Sequence, residues 1–245
     1  MRTAAALIVG NEVLTGKVEE ANVAVLARML FEIGITLRRV VVVPDEIETI
    51  AEALNALRAA HDLVFTSGGV GPTHDDITID AVAHALGRKV VRSAEVEKMV
   101  REYHGKKGVP VSDAALRLAN VVEGARLLRN AEVWWPTLAV ENVYVLPGVP
   151  EIFRVKLAVL REELARGDSF VSRAVFTWCD ESSIAELLYQ LAADHPRVLI
   201  GSYLKWRGED YHTKITFDGT DERAVGEALA AFLAALKPSD LVRVE

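Results

Sequence analysis

Apolar residues recur along this chain with two different periods. Short continuous runs at Ala4–Val9, the β-branched Leu37–Val43, Leu63–Thr66 and Asn142–Leu146 read as strands buried on both faces. Between them, apolar positions at helical spacing predict helices over Ala21–Ile33 (Val25, Leu26, Met29, Leu30, Ile33) and Glu46–Ala60 (Ile47, Ile50, Leu54, Leu57). Further helices are predicted at Asp76–Leu86, Ser93–His104 with Ser93 as N-cap, Asp113–Asn120, and from Pro150 to Ala165. Gly105–Pro110, with Lys106 and Lys107, reads as a loop. Strands alternating with helices imply a mostly parallel sheet with helices on both sides, a three-layer α/β sandwich.

The texture changes after Arg166-Gly167-Asp168-Ser169, which reads as a linker. A strand at Val171–Trp178 and a helix at Ser182–Ala193 follow. Strands at Val198–Trp206 and Tyr211–Asp218 flank a hairpin loop at Arg207-Gly208-Glu209-Asp210, and a helix covers Asp221–Leu236. This β-α-β-β-α order predicts a small α+β domain over 168–245 behind an α/β domain over 1–167.

Composition narrows the function classes. Of 245 residues, 51% are hydrophobic, which excludes a disordered chain. Lys and Arg number 28 against 35 Asp and Glu, a formal charge of −7, so no general nucleic-acid binding is expected. Cys179 is the only cysteine, so neither an internal disulfide nor a thiolate metal cluster is available. Ala4–Val9 is short for a signal segment and runs into Asn11 and Glu12; no stretch approaches the ~18 apolar residues of a membrane span. A cytoplasmic protein is expected, with a small-molecule partner and no membrane partner.

The chemistry concentrates in Thr66-Ser67-Gly68-Gly69-Val70-Gly71-Pro72-Thr73-His74-Asp75-Asp76-Ile77-Thr78, where a predicted strand gives way to a helix. Three glycines let a backbone approach a ligand closely, and successive amides ahead of a helix form a phosphate cradle. Thr66, Ser67, Thr73 and Thr78 add hydroxyls. No Gly-Lys-Ser/Thr is present, and the third glycine of a dinucleotide fingerprint would fall at His74. Asp75 and Asp76 suit a divalent cation shared with phosphate oxygens, or one of them caps the next helix. Gly10, Asn11 and Glu12 follow the first strand at the same sheet edge. Asp45 after Pro44 either faces that pocket or caps a helix. Pro147, Gly148 and Pro150 end a strand and start a helix. Trp134, Trp135, Tyr203, Trp206 and Tyr211 stand near loops or strand ends, where packing is the expected role and stacking on a planar ring the alternative. The six histidines show no zinc-type spacing.

The stretches GGVGPTHDDIT, GNEVLTG and LPGVPEIF resemble the molybdopterin-binding-like domain of the CinA family, whose superfamily includes molybdopterin adenylyltransferases and gephyrin. WWPTLAVENVYVLPGVPEIF, ESSIAELL and IGSYLKW resemble the N-terminal region of eukaryotic FAD synthase, and the similarity spans almost the whole chain. The resemblance implies a three-layer α/β domain followed by a KH-like α+β domain. It places Gly68, Gly69, Gly71, Asp76 and Thr78 on the G-G-x-G…D-x-T signature, whose aspartate serves the adenylyltransferases' chemistry. Asp80 falls where those enzymes often carry glutamate, and Gly201, Ser202 and Tyr203 match a G-S-Y motif. The chain departs from CinA at Asn130–Thr137, which lacks the glycines of that family's N-x-x-G-x-A-P-G segment. Neither the CinA amidohydrolase activity nor FAD synthesis is expected, and RNA binding is not expected of a small domain without a G-x-x-G loop.

The resemblance implies a metal-dependent nucleotide pyrophosphatase acting on a dinucleotide diphosphate such as FAD or ADP-ribose. The expected cofactor is a divalent ion (Mg, Mn or Co), with K⁺ as a possible addition, held by Asp76 and Asp75. The expected catalytic residues are Asp76, Asp75 and Glu12; the phosphate and nucleotide contacts are Gly10, Asn11, Ser67, Gly68, Gly69, Gly71, Thr73, Thr78, Pro147 and Gly148. A molybdopterin-binding or adenylyltransferase-like protein and a non-catalytic nucleotide-binding module are the alternatives. A homodimer is expected, with a trimer as the other option.

Overall fold

The computed structural model describes residues 2–131, 133, 135–165, 170–207 and 209–245. The expected linker at 166–169, Trp134 and the hairpin residue Gly208 lie outside the described residues. The chain divides into two compact units, Met1–Arg166 and Gly167–Glu245.

The first unit opens with β1 (Arg2–Val9), a short helical turn α1 (Asn11–Leu14), α2 (Asn22–Glu32), β2 (Ile35–Val43), α3 (Ile47–Ala60), β3 (Leu63–Ser67) and α4 (Thr78–Ala85). An excursion follows: β4 (Val90–Arg92), α5 (Ala94–Lys107), α6 (Asp113–Arg117) and β5 (Asn120–Val122), with β4 and β5 paired antiparallel. The chain returns through β6 (Arg126–Leu128), β7 (Thr137–Val140), β8 (Val143–Leu146) and α7 (Pro150–Leu164). The main sheet has the order β2-β1-β3-β8-β7-β6; its first four strands are parallel, β7 runs against them, and β6 pairs antiparallel with β7 and so returns to their direction.

The unbroken apolar run of β1 has a direct cause in this arrangement. Ala4, Ala6 and Ile8 face Leu26 and Leu30 of α2 and Phe153, Leu157 and Leu160 of α7, while Ala5, Leu7 and Val9 face Ile50 and Leu54 of α3 and Ala81 and Val82 of α4. A central strand covered by helices on both faces has no polar side to show. This is the expected three-layer α/β sandwich.

The second unit contains β9 (Val171–Thr177), α8 (Glu181–Asp194), β10 (Leu199–Leu204), β11 (Thr213–Gly219), α9 (Glu222–Ala235) and β12 (Leu241–Val244). All four strands pair antiparallel in the order β10-β11-β9-β12. Ile184 and Leu191 of α8 and Ala228 and Phe232 of α9 pack on Val175, Ile215 and Phe217. The β-α-β-β-α order is as expected. The final strand β12 was not, because four residues ending beside Arg243 and Glu245 carry too little periodicity to stand out.

Several boundaries move. Helix α5 continues through Lys106 and Lys107, expected as loop, because Gly105 is tolerated inside it and the chain turns left-handed only at Gly108 (φ 64°). Its N-cap is Ser93, whose side chain accepts from the Val96 amide, as expected. The helix expected from Asp113 to Asn120 ends at Arg117, since Asn120 already pairs with Arg92. Among the described residues no helix is long and apolar enough to cross a membrane.

Candidate functional site

The chain steps from β1 outward to β2, then crosses back to place β3 on the other side of β1. The direction of strand progression therefore reverses between β1 and β3, and open α/β sheets form their ligand crevice beyond the carboxyl ends at such a point. Register carries four loops to that edge: Ile8 pairs with Val42 and with Ser67, and Ser67 pairs with Leu146. Gly10, Asp45, the loop after Ser67, and Pro147-Gly148 consequently open on one side of the sheet.

The glycine loop is shaped by close approach. Gly68 has φ 104°, and a Cβ there would stand 2.1 Å from the Val9 carbonyl oxygen. Gly148 backs onto it, its own Cβ position lying 3.3 Å from the Gly68 Cα. The Thr78 hydroxyl donates to the Gly68 carbonyl at 2.8 Å, and the Thr78 amide donates to the Gly69 carbonyl at 2.9 Å. The first residue of α4 thus closes the turn.

This corrects the expected hydroxyl donors. Thr78 is fully buried, with its hydroxyl spent on Gly68, so its hydroxyl builds the loop. The buried Ser67 hydroxyl donates to the Pro147 carbonyl at 3.3 Å and accepts from Asn22 Nδ2 at 3.0 Å. Thr66 is buried, and its hydroxyl has no partner among the described residues.

Asn22 was missed by the sequence reading. It is buried, and the same Nδ2 donates to the Gly148 carbonyl at 2.8 Å, so one amide ties α2 to two site loops. A carbonyl can only accept, which fixes the nitrogen on that side. A signal existed: Asn22 lies on the same stripe as Leu26, Met29 and Leu30, a polar residue on an apolar helix face.

Asp76 sits inside the loop that precedes α4. Its Oδ2 accepts from the Thr73 amide at 2.8 Å and from the Thr73 hydroxyl, and it lies 2.5 Å from the Cβ position of Gly71. Neither Asp75 nor Asp76 caps α4; the N-cap is Ile77, without a side-chain cap. Asp75 is exposed, and its carboxyl is held below the usual carboxylate range, first by the Thr73 side chain, then by its own amide and by His74, 3.8 Å away. Asp80 follows in the first turn of α4.

At β1 the backbone folds into α1. The Glu12 carboxylate lies over Gly10, 2.6 Å from its Cβ position, and the Asn11 amide donates to Asp45 Oδ2 at 2.8 Å. Asp45 therefore anchors α1 and does not cap α3, whose N-cap is Glu46. Pro150 takes the first position of α7, as expected.

Among the described residues no three His, Cys, Asp or Glu side chains gather to hold a metal ion by themselves. The donor set still suits a hard cation of the magnesium type, which takes one or two carboxylates and completes its shell with water and substrate phosphate oxygens. Asp76 with Asp75 are the residues that would hold it.

The remaining expected positions fall elsewhere. Gly201, Ser202 and Tyr203 form part of β10 in the second unit. Tyr211 packs edge-on against Phe176 at 4.9 Å, and Trp135 packs against Val96 and Leu116, both in the expected packing role. Tyr203 and Trp206 are instead exposed. Cys179 is half-buried against the second core.

Comparison with known proteins agrees with this fold. Residues 5–166 match the family model described as a probable molybdopterin binding domain, and residues 169–245 match that of the FAD synthase middle domain. A protein of Archaeoglobus fulgidus is 31% identical over 91% of this chain and 93% of its own length. A probable FAD synthase of Caenorhabditis elegans is 30% identical over 98% of this chain, which spans only 51% of that relative. Among solved structures, the protein CinA from Thermoplasma acidophilum, described as of unknown function, aligns with a TM-score of 0.60 at 30% identity, over 66% of this chain and 98% of its own. With a glycine loop at the switch point of a parallel sheet, and with two thirds of its length matched by one model, the chain belongs to the family of probable molybdopterin binding domains, and its residues 169–245 are similar to the FAD synthase middle domain.

Proposed function

We propose that the edge formed by Gly10, Gly68–Asp76 and Pro147-Gly148 binds the phosphates of a nucleotide and hydrolyses the diphosphate bond of a dinucleotide such as FAD or ADP-ribose. The observation that carries this reading is the Asp76 carboxylate held against the backbone at Gly71, at the mouth of a glycine loop on the switch-point edge. Loop amides there suit phosphate oxygens. Two carboxylates beside them would repel a bare phosphate, and they make chemical sense when a divalent ion lies between. Bound there, such an ion supplies polarisation of the diphosphate and a water of lowered pKa.

The chain's own residues have distinct tasks in this reading. The Gly68–Gly71 backbone binds and orients one phosphate. Thr73 holds Asp76 by its amide and hydroxyl, so the carboxylate keeps its direction when charge accumulates nearby. Glu12, in the short helical turn α1 that follows β1, supplies a third carboxylate to accept the proton of the attacking water. Water adds to phosphorus, the bridging P–O bond breaks, and two monophosphates leave.

The test is hydrolysis by the full chain of FAD, ADP-ribose, NADH and coenzyme A with Mg²⁺, Mn²⁺ or Co²⁺, with and without K⁺, products being separated by chromatography. Metal-dependent release of AMP is expected from at least one of them. Asp76→Asn keeps an acceptor for Thr73 and removes the charge, and turnover should fall at least ~100-fold. Unchanged turnover in that variant would sink the assignment. One observation favours a second reading, a binding module without turnover: Asp76 Oδ2 is already engaged by Thr73. That reading expects saturable nucleotide binding with no product under any metal. Adenylylated product from ATP, Mg²⁺ and molybdopterin would point instead to adenylyl transfer.

A further inference from the structure

Sheet edges differ in how well they are protected, and β10 stands apart. Exposed edges are kept from pairing by charge, shortness, bulges or proline. In the main sheet, edge strand β2 carries exposed Arg38 and Arg39, and edge strand β6 has three residues beginning with Arg126. In the second sheet, edge strand β12 carries Arg243 and a register shift between Leu241 and Arg243. The opposite edge, β10, reads Leu199-Ile200-Gly201-Ser202-Tyr203-Leu204, six residues in unbroken register with β11, without charge or proline. Among the described residues no strand lies beside its outer row of amides and carbonyls.

Apolar side chains crowd this edge. Leu199 is 56% exposed, Tyr203 57%, Leu204 51%, Trp206 80%, and Tyr189 on α8 76%. A groove of about 530 Å³ runs between α8 and β10; Ala185, Leu188, Tyr189 and Ile200 line it together with Ser202, and Glu181 and Ser182 line it at the start of α8. Helix α8 therefore flanks an open trough along the edge, where a further strand would place its inward side chains.

We propose that this edge is the dimer interface of the protein, and that its occupant is β10 of a second copy, paired antiparallel about a two-fold axis at Ser202. The pairing is self-complementary. With Ser202 on the axis, Ile200 of one copy meets Leu204 of the other on the groove side, and the two four-stranded sheets join into one of eight. The flanking Arg197 and Lys205 lie outside this uncharged stretch. The exposed surface on the five apolar residues is on the order of 600 Å² per copy, comparable with the ~800 Å² each partner gives to a standard interface. An isologous pair also closes on itself, so an unprotected edge ends in a dimer and does not propagate into a fibre.

The test uses the full chain in sedimentation velocity from about 100 to 1 µM, a range that resolves a micromolar dissociation constant. A dimer is expected, and Tyr203→Lys with Leu204→Lys should weaken it at least tenfold while far-UV circular dichroism stays unchanged. Because both positions are exposed, the variant is expected to fold. A second measurement does not depend on it: Ser202→Cys in a Cys179→Ser background should oxidise to a disulfide-linked dimer, since symmetric strands bring that position within bridging distance of itself. A monomer at every concentration, a trimer, a double-lysine variant as dimeric as its parent, or no cross-link through residue 202 would each overturn the proposal.

Discussion

The carbonyl oxygen of Val9 fills the place where residue 68 would carry a Cβ, 2.1 Å from that position. Strands β1 and β3 are hydrogen-bonded neighbours up to Ile8 and Ser67, and one residue later the backbone of β3 turns across the end of β1. The loop can make that turn because Gly68 adopts φ 104° and presents no side chain. Gly68→Ala is therefore expected to cost about 3 kcal/mol or more, combining a disfavoured backbone with a backbone clash. Urea unfolding would measure it. A variant as stable as the parent would show that the two strand ends can separate freely.

Thr78 reaches the same loop from the helix side. Its hydroxyl is the buried donor to the Gly68 carbonyl. Thr78→Val keeps the shape and removes that donor, so a loss of about 1–3 kcal/mol is expected. Thr78→Ser should retain most of the stability. If the two variants unfold at the same urea concentration, the hydrogen bond contributes nothing.

Asn22 connects elements that no short-range pattern links. Asn22→Leu fills similar volume and deletes the donors to Ser67 and Gly148. Two site loops lose a shared anchor, and nucleotide binding to the full chain should weaken by about tenfold. Isothermal titration with ADP-ribose would read it, and unchanged affinity would place Asn22 outside the site's support.

Lys156 gives a pH signature unconnected with the site. It lies buried on α7, and its ammonium donates to the carbonyls of Trp135 and Pro136. Burial lowers its pKa from 10.5 to about 8. Between these values the unfolded chain binds more protons than the folded one, so stability rises with pH from about 8 to 10.5. Below that window the full penalty, about 3 kcal/mol, is present. Urea midpoints measured from pH 7 to 10.5 should climb in the parent and stay flatter in Lys156→Met. Parallel curves would mean that the ammonium is better solvated than its burial indicates.

Local pattern carried much of the architecture. Unbroken apolar runs meant strands covered on both faces, and helical spacing in α2 and α3 named the residues that now face the sheet. Punctuation by Ser93 and Pro150 placed helix starts correctly, because those signals act within a few residues of chain. The same locality failed at Gly105–Lys107, where a helix ran on to the next left-handed glycine. It failed again at β12, whose existence depends on β9 lying open beside it.

The candidate loop was legible for a similar reason. Three glycines followed by two aspartates, at the change from strand to helix, are a local signal, and the sequence alone determined that the backbone there must turn tightly. Which side chain does what was decided by the fold. Thr78 and Ser67 looked like ligand donors until burial assigned their hydroxyls to Gly68 and Pro147. Asn22 looked like an ordinary helix residue until packing brought it to Ser67 and Gly148, which are 45 and 126 residues away in the chain. Hydrogen-bond partners so remote in sequence leave no periodic trace in it. Only the folded sheet, by setting four strand ends side by side, determines which polar atoms are satisfied within the protein and which are left for a ligand.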